Sequence, residues 1–407
     1  MKILHFADTH VRDKDIEECD KILNFLVDQA WELRPDLIIH AGDVFDSQNI
    51  KLDSASAKLV FDVLSDLADI APVIIVIGTP SHDGLSIEVA RHIKANHRIY
   101  VSTRPEQIYF MPPDIVWEPP PNDFVSIADA VISCMPAPTK QFFQSEGSIA
   151  ETDQEIGDAM TGIMAGFAAQ AASYDAPHIL VGHFQVGGAT VSTGQQLIGR
   201  EIEVSKSQIE AANADLVCLG HIHKSQKIDD EIFYSGSTYP LTYGELEEKG
   251  FYVHEIDLNP SVDYLTSTFI KTPTRKLFKS SLDLTAGNAD DVLDDIYKQA
   301  IETRDIDCAD VRLEISVYED EVDNIGIEDL KAELIVAGGA SSVDIQLIRI
   351  PRENVRSAAL LQLTTLREKI IERAALVREE VSESILAKAD LLESENPDKI
   401  FNELSAA

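Results

Sequence analysis

Along the first hundred residues the apolar positions change period several times. Short apolar runs suited to buried strands occupy Lys2 to Ala7, Asp36 to Ala41 and Pro72 to Ile77. Between them the spacing lengthens, and from about Asp15 to Leu33 residues Ile16, Cys19, Ile22, Leu23, Leu26 and Ala30 fall on one helical face. Ser54 to Leu67 and Ser86 to Ala95 also read as helices, the first with Asp53 or Ser54 placed to cap it. Strands alternating with helices predict a layered α/β domain.

Further on, Arg104 to Thr139 is rich in proline, with Pro119, Pro120 and Pro121 in a row, and predicts loops and edge strands around the β-type run Ala130 to Cys134. A helix follows from about Thr152 to Ser173. Strands return at Ile179 to Val181, Leu216 to Leu219, Ile232 to Tyr234, Phe251 to Ile256 and Tyr264 to Ile270, which predict a second, more antiparallel half-sheet. After Thr272-Pro273-Thr274 the order is strand, helix, strand, helix, strand: Lys276 to Leu284, Asp290 to Thr303, Val311 to Val317, Glu328 to Val336 and Val343 to Ile348. From about Glu353 a long charged helix carries Leu360, Leu363, Leu366, Ile370, Ala374 and Val377 and breaks near Asn396-Pro397. With 407 residues, too many for one ordinary core, three parts are expected: a catalytic domain over 1–272, a small α+β cap over 273–350 and a helical segment over 351–407. No internal repeat is visible.

Charge complicates the picture: 34 basic against 70 acidic residues give a net charge of -36. Such a chain repels polyanions at long range, which argues against a nucleic-acid partner unless the host works at high internal salt or a second subunit supplies cations. The apolar start of the chain is interrupted too soon for a signal peptide, and no window can cross a bilayer, so a cytoplasmic protein without a membrane partner is expected. Cys19, Cys134, Cys218 and Cys308 are scattered and read as buried thiols rather than as a zinc ribbon or disulfides.

The chemistry lies in five short motifs, each just after a predicted strand: Asp8-Thr9-His10, Gly42-Asp43-Val44-Phe45-Asp46, Gly78-Thr79-Pro80-Ser81-His82-Asp83, Gly182-His183 and Gly220-His221-Ile222-His223. Ligands sit at that edge of an open α/β sheet because loops there bring side chains from several strands to one point. Carboxylates and imidazoles in combination suit a pair of divalent ions about 3.5–4 Å apart, which can activate water, hold a phosphate and neutralise charge in an in-line displacement. Mixed nitrogen and oxygen donors favour manganese, iron or zinc over magnesium or calcium. Any one of these residues alone reads best as an ordinary buried or surface group; five motifs in order do not. His5, His40, His92, His97, His178 and His254 carry no motif and are read as structural or exposed.

This series resembles the calcineurin-like metallophosphoesterases, a β-sandwich flanked by helices, and more narrowly the SbcD family, the nuclease subunit of the SbcCD exonuclease. The narrower resemblance rests on His183 followed by Gly187 and Gly188, on Gly220-His221-Ile222-His223-Lys224, on Tyr234-Ser235-Gly236-Ser237, and on Pro240-Leu241 followed by Glu247-Glu248-Lys249-Gly250-Phe251. It implies one metal held by Asp8, His10, Asp43 and His223 and a second held by Asp43, His183 and His221, with manganese as the leading candidate. It also implies that His82 sits beside the scissile phosphate, stabilising charge or protonating the leaving oxygen, with Asp83 orienting its ring. The implied partners are DNA, an SbcC-like coiled-coil ATPase docked on the C-terminal helix, and a second copy of the chain meeting the first through the helices at Ser54 to Leu67 and Ser86 to Ala95.

The chain departs from the family at one place. The family writes Gly-Asn-His-Asp, the asparagine binding the second metal, whereas Thr79-Pro80-Ser81 stands here between Gly78 and His82. Ser81 by adjacency, or Thr79, takes the asparagine's place, and a hydroxyl is a poorer ligand, so a weaker second site is expected. Besides a DNA exonuclease and endonuclease, two readings stay open: a phosphodiesterase or phosphatase for small nucleotides or phosphoproteins, and a scaffold subunit with a weakened metal site.

Overall fold

The computed structural model describes residues 1–116, 128–138, 149–195, 202–257, 264–285, 305–351, 362–377 and 381–393. The expected helix at Asp290 to Thr303, the prolines 119–121 and Leu360 lie outside the described residues.

Four strands, β1 (Lys2–Phe6), β2 (Leu37–His40), β3 (Val73–Val76) and β4 (Ile99–Ser102), pair in parallel in that order. Helix α1 (Ile16–Leu33) makes the first crossover and α2 (Ala55–Ile70) the second. Of the two proposed caps for α2 it is Ser54 that accepts from the Ala57 amide. Between β3 and β4 the structure differs from expectation: Leu85–His92 is a 3-10 helix rather than an α-helix. Its two buried side chains, Ile87 and Ala90, stand three apart, a spacing that a three-residue turn brings onto one line.

A second sheet is built from β5 (Glu106–Met111), β6 (Asp114–Val116), β7 (Ala130–Met135) and β8 (His178–His183), with helix α3 (Ile149–Ala171) preceding β8. The short β9 (Gln185–Val186) and β10 (Glu203–Val204) pair with each other, and helix α4 (Lys206–Glu210) then leads into β11 (Leu216–Gly220), β12 (Gln226–Lys227) and β13 (Ile232–Tyr234). The order is β12-β13-β11-β8-β7-β5-β6. Its central pairings, β7 with β8, β8 with β11 and β11 with β13, are parallel, so antiparallel pairing is confined to the margins.

Strands β14 (Gly250–Ile256) and β15 (Leu265–Lys271) do not join this second sheet, as their place in the sequence suggested. They extend the first, β14 lying antiparallel beside β1. The reason is that β14 is apolar on both faces: Phe251 and Val253 pack with α1 and α2, while Ile256 faces the other sheet. A strand buried on two sides belongs in the middle of a sheet.

The two sheets thus lie face to face. Ile3, Ile39, Ile74 and Ile256 from the first share a core with Ile132, Ile179, Val181 and Leu216 from the second. Helices α1 and α2 cover the first sheet, and α3 and α4 cover the second. This is an α/β sandwich flanked by helices.

Backbone proximity divides the chain into two compact units, one of Met1–Leu282, Asp290–Glu314 and Ile327–Gln346, the other of Asp283–Ala289, Ile315–Gly326 and Leu347–Ala407. A three-stranded sheet orders β16 (Lys276–Asp283), β17 (Ala309–Tyr318) and β18 (Ser342–Ile350), with helix α5 (Ile327–Val336) between the last two in sequence. The second unit carries two helices, α6 (Leu366–Val377) and α7 (Glu383–Glu393), where one long helix was expected. Thr365 starts the first of them: its hydroxyl accepts from the Glu368 amide and the Glu368 carboxylate accepts from the Thr365 amide, a reciprocal cap that begins α6 at Leu366. Arg367 of α6 holds Asp390 of α7 at 2.6 Å.

Cys19, Cys134 and Cys218 are buried thiols, but Cys308 is exposed, in a tight turn at φ 56. No helix among the described residues is long and apolar enough to cross a membrane.

Candidate metal centre

The ends of β1, β2, β3, β8 and β11 lie along one edge of the sandwich, so the five motifs meet there. The backbone turns sharply to aim their side chains inward. Asp8, His10, Asp43 and His221 all have positive φ, at 52, 37, 55 and 93. Each such residue costs about 1 kcal/mol or more, a strain that clusters at functional sites. Two glycines make room: a Cβ on Gly42 would lie 2.3 Å from His183 Nδ1, and one on Gly78 would lie 2.1 Å from Asp43 Oδ1.

His10, Asp46 and His82 form one group of donor atoms at the rim; deeper in, donors collect in two groups, Asp8 with His10 and His223, and Asp43 with His183 and His221, each group within 4.8 Å. Asp43 lies between them, its Oδ2 standing 3.2 Å from His183 Nε2 and 3.7 Å from His10 Nε2. The tautomer of His183 is set by Nδ1, which donates to the Ala41 carbonyl at 2.7 Å and leaves Nε2 for the centre. The amide of His221 donates to both oxygens of Asp8 at 3.0 Å, tying the end of β11 to the end of β1.

The charges suit cations. Burial alone would raise Asp43, yet the surrounding imidazoles, His183 first, hold it well below the usual carboxylate range. Burial would lower His183, but the Asp43 and then the Asp8 carboxylate push it up to about 9. Asp8 is raised, by burial above all, against the pull of His183 and His223. Both ring nitrogens of His10 and Nε2 of His183 are buried without a hydrogen-bond partner. Orphaned nitrogens beside ionised oxygens are what a metal centre requires, and the two groups fit two divalent ions.

A family model for calcineurin-like phosphoesterases matches residues 1–225, more than half of the chain. The chain belongs to that family. One solved structure similar to this phosphoesterase is a dimetal phosphatase from Danio rerio, 11% identical, covering 67% of this chain and 96% of that one with a TM-score of 0.38.

Within the phosphoesterase centre His82 stands at the rim, partly exposed, its ring edge-on to His10 with centroids 4.5 Å apart. Its Nδ1 donates to the Asp46 carbonyl at 2.9 Å, leaving Nε2 to accept or deliver a proton. Asp83 does not orient this ring, contrary to expectation. Its carboxylate is turned inward and accepts from the amides of Asp43, Val44 and Gly78 at 2.9 Å and of Phe45 at 3.3 Å. The backbone donors of two loops outcompete a neighbouring side chain, so Asp83 positions Asp43 instead.

The departure at Thr79-Pro80-Ser81 resolves by contact. Thr79 reaches Asp43 Oδ1 through its amide at 2.6 Å and its hydroxyl at 2.9 Å. Ser81 is exposed, and its carbonyl accepts from Gln48.

Two functional residues carry no signal in the motif reading. Glu245 is buried, meets His223 Nδ1 at 3.2 Å and is held by Lys249 Nζ at 2.6 Å; Lys249 also donates to the His223 carbonyl at 3.0 Å. A carboxylate behind a ligating histidine fixes its tautomer and strengthens it as a donor. Gln195 receives the His223 amide at 3.0 Å and donates to the His221 carbonyl at 2.6 Å, clamping the loop between them. The Glu-Glu-Lys-Gly run pointed to this neighbourhood, two residues past Glu245.

Proposed function

We propose that this phosphoesterase hydrolyses phosphodiester bonds at DNA ends, as exonuclease and endonuclease, in the role of the nuclease subunit of an SbcCD-like repair complex. The observation that carries the reading is the pairing of two three-donor groups across Asp43 with His82 at their rim. One ion would be held by Asp8, His10, Asp43 and His223, the other by Asp43, His183 and His221, with manganese the first choice for mixed nitrogen and oxygen donors. Bound ions would supply a nucleophilic water and neutralise phosphate charge. His82, its Nδ1 occupied, would give the leaving oxygen a proton from Nε2. Thr79, through its bond to Asp43, takes the asparagine's place beside the second ion and makes it the weaker one; two tightly held ions per desalted chain would refute that.

The DNA reading is supported by the residues shared with SbcD proteins, several of which hold the site. Tyr234 Oη bridges the Phe184 carbonyl at 2.7 Å and the Val186 amide at 2.9 Å, and Gly236, at φ 75, leaves space for the His223 carbonyl. The exposed Ile371, Ile385 and Leu392 on α6 and α7 suit docking on a coiled-coil ATPase, and the exposed Leu52, Leu85 and Val89 suit a homodimer.

A small soluble phosphodiester is the second reading, favoured by the net charge of -36. Several cations of the chain are already paired and so less free to meet a DNA backbone, Arg12 with Asp15 at 2.5 Å, Lys227 with Asp230 at 2.6 Å and Arg275 with Asp310 at 3.8 Å. Manganese-dependent assays on linear duplex DNA and on a small chromogenic diester separate the two. Cleavage of DNA that falls by about 100-fold or more in His82→Ala is the expected result; turnover of the small diester alone would remove the nuclease reading.

A further inference from the structure

A second polar cluster lies away from the catalytic edge, between the two sheets. His5 of β1 and His254 of β14 come from the first sheet and Cys218 of β11 from the second, and all three are fully buried. One donor atom from each lies within 4.8 Å of the other two, and no fourth donor joins them among the described residues. Nδ1 of His5 and Nε2 of His254 are 3.2 Å apart, and Nδ1 of His254 meets Ser267 Oγ at 2.7 Å. Phe233 and Tyr252 pack on the His254 ring with centroids 4.9 and 5.4 Å away.

Two imidazoles in such a layer are costly unless every nitrogen is engaged. The mutual contact and Ser267 account for three of the four nitrogens. The last, Nε2 of His5, is buried without a hydrogen-bond partner. Burial keeps both rings neutral, His5 pushed down to about 3 against a smaller opposing effect of the Leu219 backbone, and His254 well below its usual range. Burial likewise keeps Cys218 a thiol. Neutral imidazoles are ready ligands, and the nitrogen separation of 3.2 Å is close to the ~3.3 Å edge of a tetrahedron with ~2.0 Å metal–nitrogen bonds.

We propose that His5, His254 and Cys218 form a third metal site, independent of the catalytic pair, for a thiophilic d10 ion, zinc or copper(I). When the ion binds, the Cys218 S–H proton leaves to solvent as the sulfur–metal bond forms. His254 keeps its proton on Nδ1 for Ser267, and the His5 proton moves from Nδ1 to Nε2. The ion ties one sheet to the other through the strands that deliver the catalytic ligands, since His5 precedes Asp8 and Cys218 precedes His221 by three residues.

Cobalt(II) reads this site selectively, because the catalytic donors include no sulfur and only a thiolate gives the near-ultraviolet charge-transfer band. Full-length protein expressed in cobalt-supplemented medium should show that band, and Cys218→Ser and His254→Gln should lose it. A folded wild-type chain that shows no band and retains no copper, or a band that survives Cys218→Ser, overturns the site. Should Cys218→Ser fail to fold, Cys218→Ala serves. Native mass spectrometry of chelator-treated protein grown with zinc, or with copper under reducing conditions, then tells the two ions apart, and retention of neither contradicts the assignment.

Discussion

Asp83 and Glu245 are both buried carboxylates beside the catalytic centre, one under the loops of the first sheet and one behind the last histidine of the second. Burial raises each of them, and the outcomes still diverge. Asp83, with Asp43 as its charged neighbour and four amides as donors, is pushed up to about 6. Glu245 is brought down to about 2, because the hydrogen bond with His223 and the charge of Lys249 outweigh its burial. Neutral donors orient a carboxylate without compensating a nearby anion, whereas a cation in contact does both. The first half of the centre is therefore held by backbone hydrogen bonds and the second by charge.

Removing each anchor probes that contrast. Asp83→Ala leaves four amides without an acceptor and frees the turn that aims Asp43, so it should cost about 3 kcal/mol or more in stability and lower hydrolysis by more than about 100-fold. Thermal melts and steady-state rates check this, and a loss of only a few-fold would mean that the first-sheet loops have another anchor. Glu245→Gln should weaken one ion of the two, the one near His223, by about 10–100-fold in titration calorimetry. Lys249 keeps Glu247 at 2.8 Å in that variant, so no unpaired cation is left behind.

The same pair predicts opposite pH dependences in chelator-treated protein. The lowered value of Glu245 contributes stability that is present above 4.5 and is lost as pH falls towards about 2. The raised value of Asp83 means that the folded state binds its proton more tightly, so stability is lost as pH rises from 3.8 through about 6. Urea melts should show the wild type losing ground to Asp83→Asn over that upper window, and losing its advantage over Glu245→Gln below 4.5. The smallest expected effect is that of Thr79→Val, which removes one hydroxyl bond to Asp43 and should weaken metal binding by about fivefold, or ~1 kcal/mol.

Much of the site was legible because its residues follow strands in short motifs with glycine beside them, so chemistry and position agreed. The helix α1 and the strands of the first sheet were legible from period alone. What was hidden depends on contacts that no local pattern encodes. Phe251 to Ile256 reads as a strand, but its insertion beside β1 follows from burial on both faces. Asp83 adjoins His82 in sequence and turns away from it, since four amides lie on the other side. Glu245 is one acid in an acidic chain until Lys249 and His223 are seen against it. The start of α6 was visible as Thr365 followed three residues later by Glu368, a cap masked by a continuous apolar stripe.

The most direct test of the paired centre is a crystal structure with manganese located by its anomalous signal. Two peaks about 3.5–4 Å apart are expected, one among Asp8, His10 and His223, the other among Asp43, His183 and His221, with Asp43 touching both. A single peak, or a second ion bound with His183 and His221 outside its coordination shell, would contradict the paired centre.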